Sequence, residues 1–351
     1  MLADQIDEFR TYSNFAYFAS FPDRVNGYEY VFASDTFQND PSKIFDGALR
    51  PILVTYDYVN EIFDTKVKSS GWPYFLSMDA ETIEKRPIMR TSAFKKKNSG
   101  SLKDEALEGK IRKIVNLIRN GEVLQVVISR EFEANVNVNE KIHEFLTKDR
   151  SRYVFYYRFG KYEVVGSSPE NIFTVIGNRI YVDPIAGTIS HSFSSDTLYR
   201  SEKDRCEHRM LLDLARNDVS KFADIGSLEV PKVMEIEEFS SVKHLVSQVK
   251  ATFSNKNYVD ILRAMFPAGT VTGSPKERAI EIIDKFEETP RGPYGGAVGI
   301  VGSGIFDMGL AIRMAYSSGN GFRVRAGAGI VKDSDPSSEV NEIYNKARSV
   351  L

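Results

Sequence analysis

Residues 153–182 read YVFYYRFGKYEVVGSSPENIFTVIGNRIYV, and the parsing of this stretch decides the fold. Two pairs of aromatic and β-branched runs are each interrupted by two residues, Gly160-Lys161 and Gly177-Asn178. A two-residue connection led by glycine suits a II′ turn, whose twist matches that of the flanking strands. The stretch is therefore predicted as successive antiparallel hairpins.

The pattern extends outward on both sides. Upstream, EVLQVVISREF (122–132) reads as another strand, preceded by a helix over 101–122. In that helix Ile111, Ile114, Val115 and Ile118 follow the i, i+3, i+4, i+7 spacing of a buried stripe, and Gly121 stops it. Downstream, helical patterns occupy 201–218, 255–266 and 274–288. In the last, Ser274 is the expected cap, Pro275 the first helical residue, and Ala279, Ile282, Ile283 and Phe286 the buried stripe. Strands over 295–301, 309–316 and 322–331 then lead to a final helix begun by Asp335 and Pro336. Residues 1 to 84 hold short aromatic strands such as YEYVFAS (28–34) and ILVTYDYV (52–59), and the basic run from Lys85 to Lys97 reads as a solvated connector. Strand and helix runs without βαβ alternation imply an α+β fold of antiparallel sheets packed with helices. The expected division is a strand-rich region, 1–100, contributing to the same fold as a larger unit, 101–351.

Composition narrows the function classes. The chain has 351 residues, 42% hydrophobic and 27% charged, within the globular range, and its formal net charge of -2 argues against phosphate-driven nucleic-acid binding. One cysteine, Cys206, excludes a disulfide framework and a Cys-based zinc cluster. No apolar run has membrane-spanning length, so a cytoplasmic protein is the expectation.

Three constellations could carry chemistry. Glu207 heads an apolar stripe of Met210, Leu211 and Leu214, with Asp204 one turn back, and Glu339 and Glu342 repeat the i, i+3 spacing on the final helix. An oxygen-only set of this kind suits Mg²⁺; the same spacing is also met by a plain surface pair of Glu342 with Lys346. FPAGTVTGSPK (266–276) enters a helix N-terminus and AGAG (326–329) ends a strand; both suit small carboxylate ligands, and both equally suit tight turns against a core. Neither matches a nucleotide loop. Among the histidines, His143 and His191 lack an obvious partner, His208 adjoins Glu207 on another face of the helix, and His244 shares a strand face with Val242 and Val246.

PIAGT (184–188), EHRMLLDLARND (207–218), KHLVS (243–247), FPAGTVTGSPK, RGPYGGAVG (291–299), AIR (311–313) and AGAGIVKDSDPSSEVNEIYNKA (326–347), in this order, resemble the chorismate-utilising enzymes, and most closely the large subunits of anthranilate synthases. The resemblance covers roughly 105–351 and implies the two-layered fold of that family. It implies Mg²⁺ held by Glu207 and Glu342, with Asp204 and Glu339 behind them. It places Tyr294, Arg313 and the Gly327–Gly329 backbone around the enolpyruvyl carboxylate. Glu170 would protonate the leaving C4 hydroxyl, His244 would assist loss of pyruvate, Thr270 would contact the ring, and Lys346 would orient the carboxylates.

Two positions discriminate within the family. Gln125 stands where water-activating members carry a lysine base, and an amide cannot deprotonate water, so ammonia is the implied nucleophile. Ala186 stands where aminodeoxychorismate synthases have a lysine that attacks the ring, so direct amination at C2 is implied. The resemblance further implies a separate glutamine amidotransferase subunit in a hetero-oligomer, because Cys206 lies in a predicted helix and not on a nucleophile turn. An aminodeoxychorismate synthase and a catalytically inactive regulatory relative are the alternatives. ISHS (189–192) replaces the family's RPRG, Asp204 is shorter than the usual glutamate, and the tryptophan-sensing LLES and SPY motifs are missing, with VFAS (31–34) and RSRY (150–153) in their places.

Overall fold

The structure is a computed structural model that describes residues 11–23, 25–89, 103–149, 151–190, 194, 196–238, 242–254 and 257–351. Its strands, in chain order, are β1 (Asn14–Ser20), β2 (Asn26–Ser34), β3 (Arg50–Val54), β4 (Phe75–Ser77), β5 (Thr82–Met89), β6 (Gln125–Ala134), β7 (Tyr153–Phe159), β8 (Tyr162–Ser168), β9 (Asn171–Ile176), β10 (Arg179–Val182), β11 (Ile185–Ser190), β12 (Glu229–Glu238), β13 (Val242–Thr252), β14 (Gly273–Ser274), β15 (Ala297–Gly302), β16 (Ile305–Leu310), β17 (Met314–Ser317) and β18 (Phe322–Ile330). The longer helices are α1 (Glu105–Arg119), α2 (Val138–Lys148), α3 (Glu202–Ser220), α4 (Tyr258–Met265), α5 (Lys276–Phe286) and α6 (Pro336–Arg348).

The strands form two antiparallel sheets. One runs β14-β6-β18-β17-β8-β7-β1-β2-β5, and the other β11-β13-β10-β9-β16-β15-β3-β4 with β12 beside β13. The hairpins β7–β8 and β9–β10 turn at Gly160 and Gly177, which take φ of 57° and 60°, as the glycine-led turns require. Yet the second hairpin lies in the other sheet, so the SSPE connection carries the chain from one layer to the next. Residues 14–89 serve both layers: β1, β2 and β5 extend the first sheet, while β3 and β4 extend the second.

Alternation along the strands sorts side chains into three apolar layers. Phe18, Phe32, Phe155, Tyr157, Leu53 and Val298 fill the space between the sheets. The outer face of the first sheet is covered by α1, α2, α5 and α6 through residues such as Ile111, Phe145, Ile282 and Ile343. The second sheet is covered by α3 and α4 through Val219, Ile261 and Leu262.

Several local expectations change. Ser274 does not cap α5: it pairs with Gln125 as part of β14, Pro275 occupies the cap position, and no side-chain cap bond forms. The stretch 309–316 is two strands, because the chain leaves one sheet after Leu310 and joins the other at Met314, with Arg313 at φ 48° between them. Asn137 caps an additional helix, α2, whose stripe of Val138, Ile142, Phe145 and Leu146 is buried and leaves His143 outside. Lys85 to Met89, expected in a connector, are the end of the edge strand β5, where Pro87 and the charges suit an unpaired edge; 90–97 lie outside the described residues.

Candidate functional site

The site is built where the apolar filling between the sheets gives way to glycine and polar residues. On β18, Val324, Ala326, Ala328 and Ile330 face the helices, which leaves Arg325, Gly327 and Gly329 on the inner face. The paired strand β6 sends Val126 and Ile128 outward and Gln125, Val127 and Ser129 inward. The glycines are demanded by close approach. A Cβ on Gly329 would stand 2.7 Å from the Gln125 amide nitrogen, and one on Gly327 would stand 2.8 Å from both the Tyr294 hydroxyl and the Ile128 carbonyl oxygen.

Gln125 and Tyr294 are thus buried over a bare backbone floor. Burial pushes the Tyr294 hydroxyl up to about 12 despite the nearby Arg291 charge, so it remains a donor at neutral pH.

Glu170 lies beside this floor, partly buried, and its carboxylate accepts a short hydrogen bond from the Thr270 hydroxyl. Burial raises its pKa above the ordinary carboxylate value, outweighing the Thr270 bond and the positive charges of Lys346 and Arg313. A buried carboxyl whose pKa is raised, with two cations nearby, has a general acid's environment beside an anion clamp. Lys346 donates to the Gly327 carbonyl at 3.0 Å and pairs with Glu342 at 2.7 Å. Arg313, Glu342 and Lys346 line an open cleft of about 630 Å³, continued along α6 by Asn341, Asn345 and Ser349. The left-handed φ of Arg313, rare for a residue with a side chain, goes with the sheet-to-sheet crossover that brings it here.

A second group forms at the far edge of the other sheet. The register of β11 against β13 slips between Ala186 and Thr188, and Gly187, at φ 63°, makes the bulge. The Nδ1 of His244 donates to the Gly187 carbonyl at 2.8 Å, which orients the ring over the bulge. A Cβ on Gly187 would meet Asp204 Cβ at 3.2 Å, so Ala186, His244 and the first turn of α3 converge on one bulge. The next residue along α3 from Glu207, His208, turns inward and bonds Ser247 at 2.6 Å, and Leu214, two turns further, packs against Gly269 beside Thr270.

Among the described residues no group of three or more His, Cys, Asp or Glu side chains is placed to hold a metal ion. Glu342 is engaged with Lys346, and the buried Glu339 accepts from Ser334 at 2.7 Å. The oxygen-only donors still match Mg²⁺ in kind, because that ion takes one or two carboxylates and completes its shell with water and substrate oxygens. What they do not provide is a closed protein cage. The serine-capped start of α3 and the Asp335-capped start of α6 put Asp204 and Glu339 in the first turns of their helices.

A buried network that no motif signals lies beneath the floor. Glu287 accepts from the Ser129 backbone and hydroxyl, from Arg291 and from Arg325. Burial alone would raise its carboxyl; the charges of Arg291 and Arg325 hold it below the usual range. RGPYGGAVG points to Tyr294, and nothing in its spacing announces a partner for Arg291 four residues earlier at a helix end. Cys206 is exposed on α3.

Residues 64–351 match the family described as chorismate binding enzyme. Anthranilate synthase component 1 of Geobacillus stearothermophilus is 41% identical over 273 residues, 75% of this chain and 54% of that protein. Its counterpart in Aquifex aeolicus is 38% identical over 83% of this chain and 60% of its own length. The chain therefore spans about half the length of the curated relatives it matches. The crystal structure of anthranilate synthase component I from Streptococcus pneumoniae superposes with a TM-score of 0.75 at 27% identity, covering 96% of this chain and 92% of that one. The menaquinone-specific isochorismate synthase MenF of Escherichia coli shares the fold, with a TM-score of 0.74 at 20% identity over 96% of this chain and 88% of that one. No helix among the described residues is long and apolar enough to cross a membrane.

Proposed function

Since the chain belongs to the family of chorismate-binding enzymes, we propose that it is the chorismate-binding component of an anthranilate synthase, converting chorismate and ammonia to anthranilate, pyruvate and water in tryptophan biosynthesis. The single observation that carries this reading is the contact of Glu170 with the Thr270 hydroxyl beside a glycine floor, within the influence of the Lys346 and Arg313 charges.

In this reading Arg313 and the Tyr294 hydroxyl grip the enolpyruvyl carboxylate against the Gly327–Gly329 backbone, where no side chain intervenes. Glu170 gives its proton to the departing C4 hydroxyl, which leaves as water while the C2–N bond forms and the ring double bonds shift. His244 assists removal of the C2 proton as the enolpyruvyl C–O bond breaks and the ring becomes aromatic. Gln125 offers an amide at the nucleophile position and no base, which favours ammonia over water. One Mg²⁺, held by Glu207 and Glu342 with Asp204 and Glu339 behind them, would supply the positive charge that anchors the ring carboxylate. Ammonia would come from a separate glutamine amidotransferase subunit, and the assembly would work in the cytoplasm.

Incubation with chorismate, Mg²⁺ and ammonium, read by anthranilate fluorescence, tests the assignment. Accumulation of an aminated, non-aromatic product would instead make the chain an aminodeoxychorismate synthase component. Gln125→Lys should divert product toward hydroxylated isochorismate; an unchanged product ratio would remove Gln125 from the choice of nucleophile.

A further inference from the structure

Arg291 is buried, and four of its hydrogen bonds run to three separate parts of the chain. Its Nε and Nη2 donate to Glu287 at 3.0 and 2.7 Å, Nη1 donates to the Val271 carbonyl at 2.6 Å, and Nη2 also donates to the Val127 carbonyl at 2.8 Å. Its guanidinium lies 5.6 Å from the centroid of the Tyr294 ring. Val271 follows Thr270 directly, Val127 is two residues from Gln125 on the same strand face, and the Tyr294 amide donates to the Arg291 carbonyl at 3.2 Å.

A flat fork with donors on three nitrogens can satisfy two carbonyls and a carboxylate together, whereas the ammonium of a lysine is a compact point charge. Glu287 anchors the fork in turn, because it also takes the Ser129 amide and hydroxyl of β6. The turn at 269–272 has other ties to β6, since Val127 donates to Thr272. The guanidinium links that turn, β6 and the Tyr294 loop at one point.

We infer that Arg291 is a positioning residue for the proposed reaction: it staples the Thr270 turn, the Gln125 strand and the Tyr294 loop into one fixed arrangement while touching no substrate. The inference rests on the functional reading above for its kinetic consequence, and on geometry alone for the staple.

Arg291→Lys keeps a positive charge against Glu287, so the protein should fold. Two measurements on the full chain separate the claims. In hydrogen exchange, the amides of Val271 and Thr272 should exchange at least tenfold faster in the variant than in the wild type. In the anthranilate assay, kcat should fall about tenfold or more, because Glu170 loses its placed Thr270 partner, with a smaller rise in KM for chorismate. Unchanged exchange at 271–272 overturns the staple, whatever the reaction proves to be. Faster exchange with wild-type kcat and KM leaves Arg291 purely structural and overturns its positioning role. A wild-type protein that makes no anthranilate refutes the functional reading, and the exchange data still decide the staple. Arg291→Met with Glu287→Gln, which removes both charges, provides the same exchange comparison if the lysine variant does not fold.

Discussion

Gly329→Ala is the sharpest probe of the site. The backbone there is not in the left-handed region, so alanine meets no conformational penalty, and the loss of unfolded-state freedom favours it by about 0.4–1 kcal/mol. The added Cβ would lie 2.7 Å from Gln125 Nε2, and its next contact, the Gln125 Cδ, is already at 3.7 Å. Ordinary carbon contacts sit near 3.5 Å, so the amide must retreat by roughly 0.8 Å, and the flexible end of one side chain absorbs the clash. The neighbouring Gly327→Ala is different in kind, because its Cβ meets the Ile128 carbonyl oxygen, which the sheet ladder holds. Overpacking against fixed backbone costs about 1–3 kcal/mol. Gly329→Ala should therefore keep wild-type stability within about 1 kcal/mol while turnover falls about tenfold to a hundredfold, as displacements near 1 Å do in active sites. Gly327→Ala should lose both. Thermal melts of the two variants, with anthranilate formation from chorismate and ammonium, make the comparison. If Gly329→Ala turned over at the wild-type rate, the claim that the Gln125 amide must sit where it does would fail.

Three further outcomes follow from charged groups. Glu170 has its pKa raised from the ordinary 4.5 mainly by burial, so its contribution to stability is full below that value and declines as pH rises through the raised one. Glu170→Gln should remove this decline, gaining stability relative to the wild type as pH rises, while lowering turnover by about 10²–10⁴; denaturant titrations across pH that run parallel for the two proteins would contradict the shift. Glu342→Gln should raise the Mg²⁺ concentration needed for half-maximal turnover at least tenfold and leave the melting temperature nearly unchanged, since the side chain is exposed; an unaltered Mg²⁺ requirement would remove Glu342 from the metal's ligands. Lys276 and Asp218 form a buried pair at 2.6 Å joining α5 to α3, with the lysine pulled down by burial against the attraction of the aspartate. Among the described residues Lys276→Met leaves Asp218 paired only with the half-exposed Lys221, so it should cost about 3–5 kcal/mol, and adding Asp218→Asn should recover most of that in urea titrations.

Much of the chain's local order, α2 apart, was legible from residue patterns alone. Glycine-led turns, the stripe of Ile111, Ile114 and Ile118, and the Asp335-Pro336 start of α6 specify their elements because turn chemistry and capping act within a few residues. The same holds for the identity of candidate groups: Glu170, Thr270, Tyr294, Arg313, His244 and the acidic pairs could be named from their motifs. Only the tertiary structure decided which sheet each hairpin joins, that 309–316 breaks at Arg313, and that Ser274 extends a strand edge instead of capping a helix. The reason is that sheet membership and burial of charge depend on contacts between residues a hundred or more positions apart, as between Thr270 and Glu170 or Glu287 and Ser129. A side chain's type travels with the sequence, but its proton affinity and its partners are set by whatever the fold packs around it.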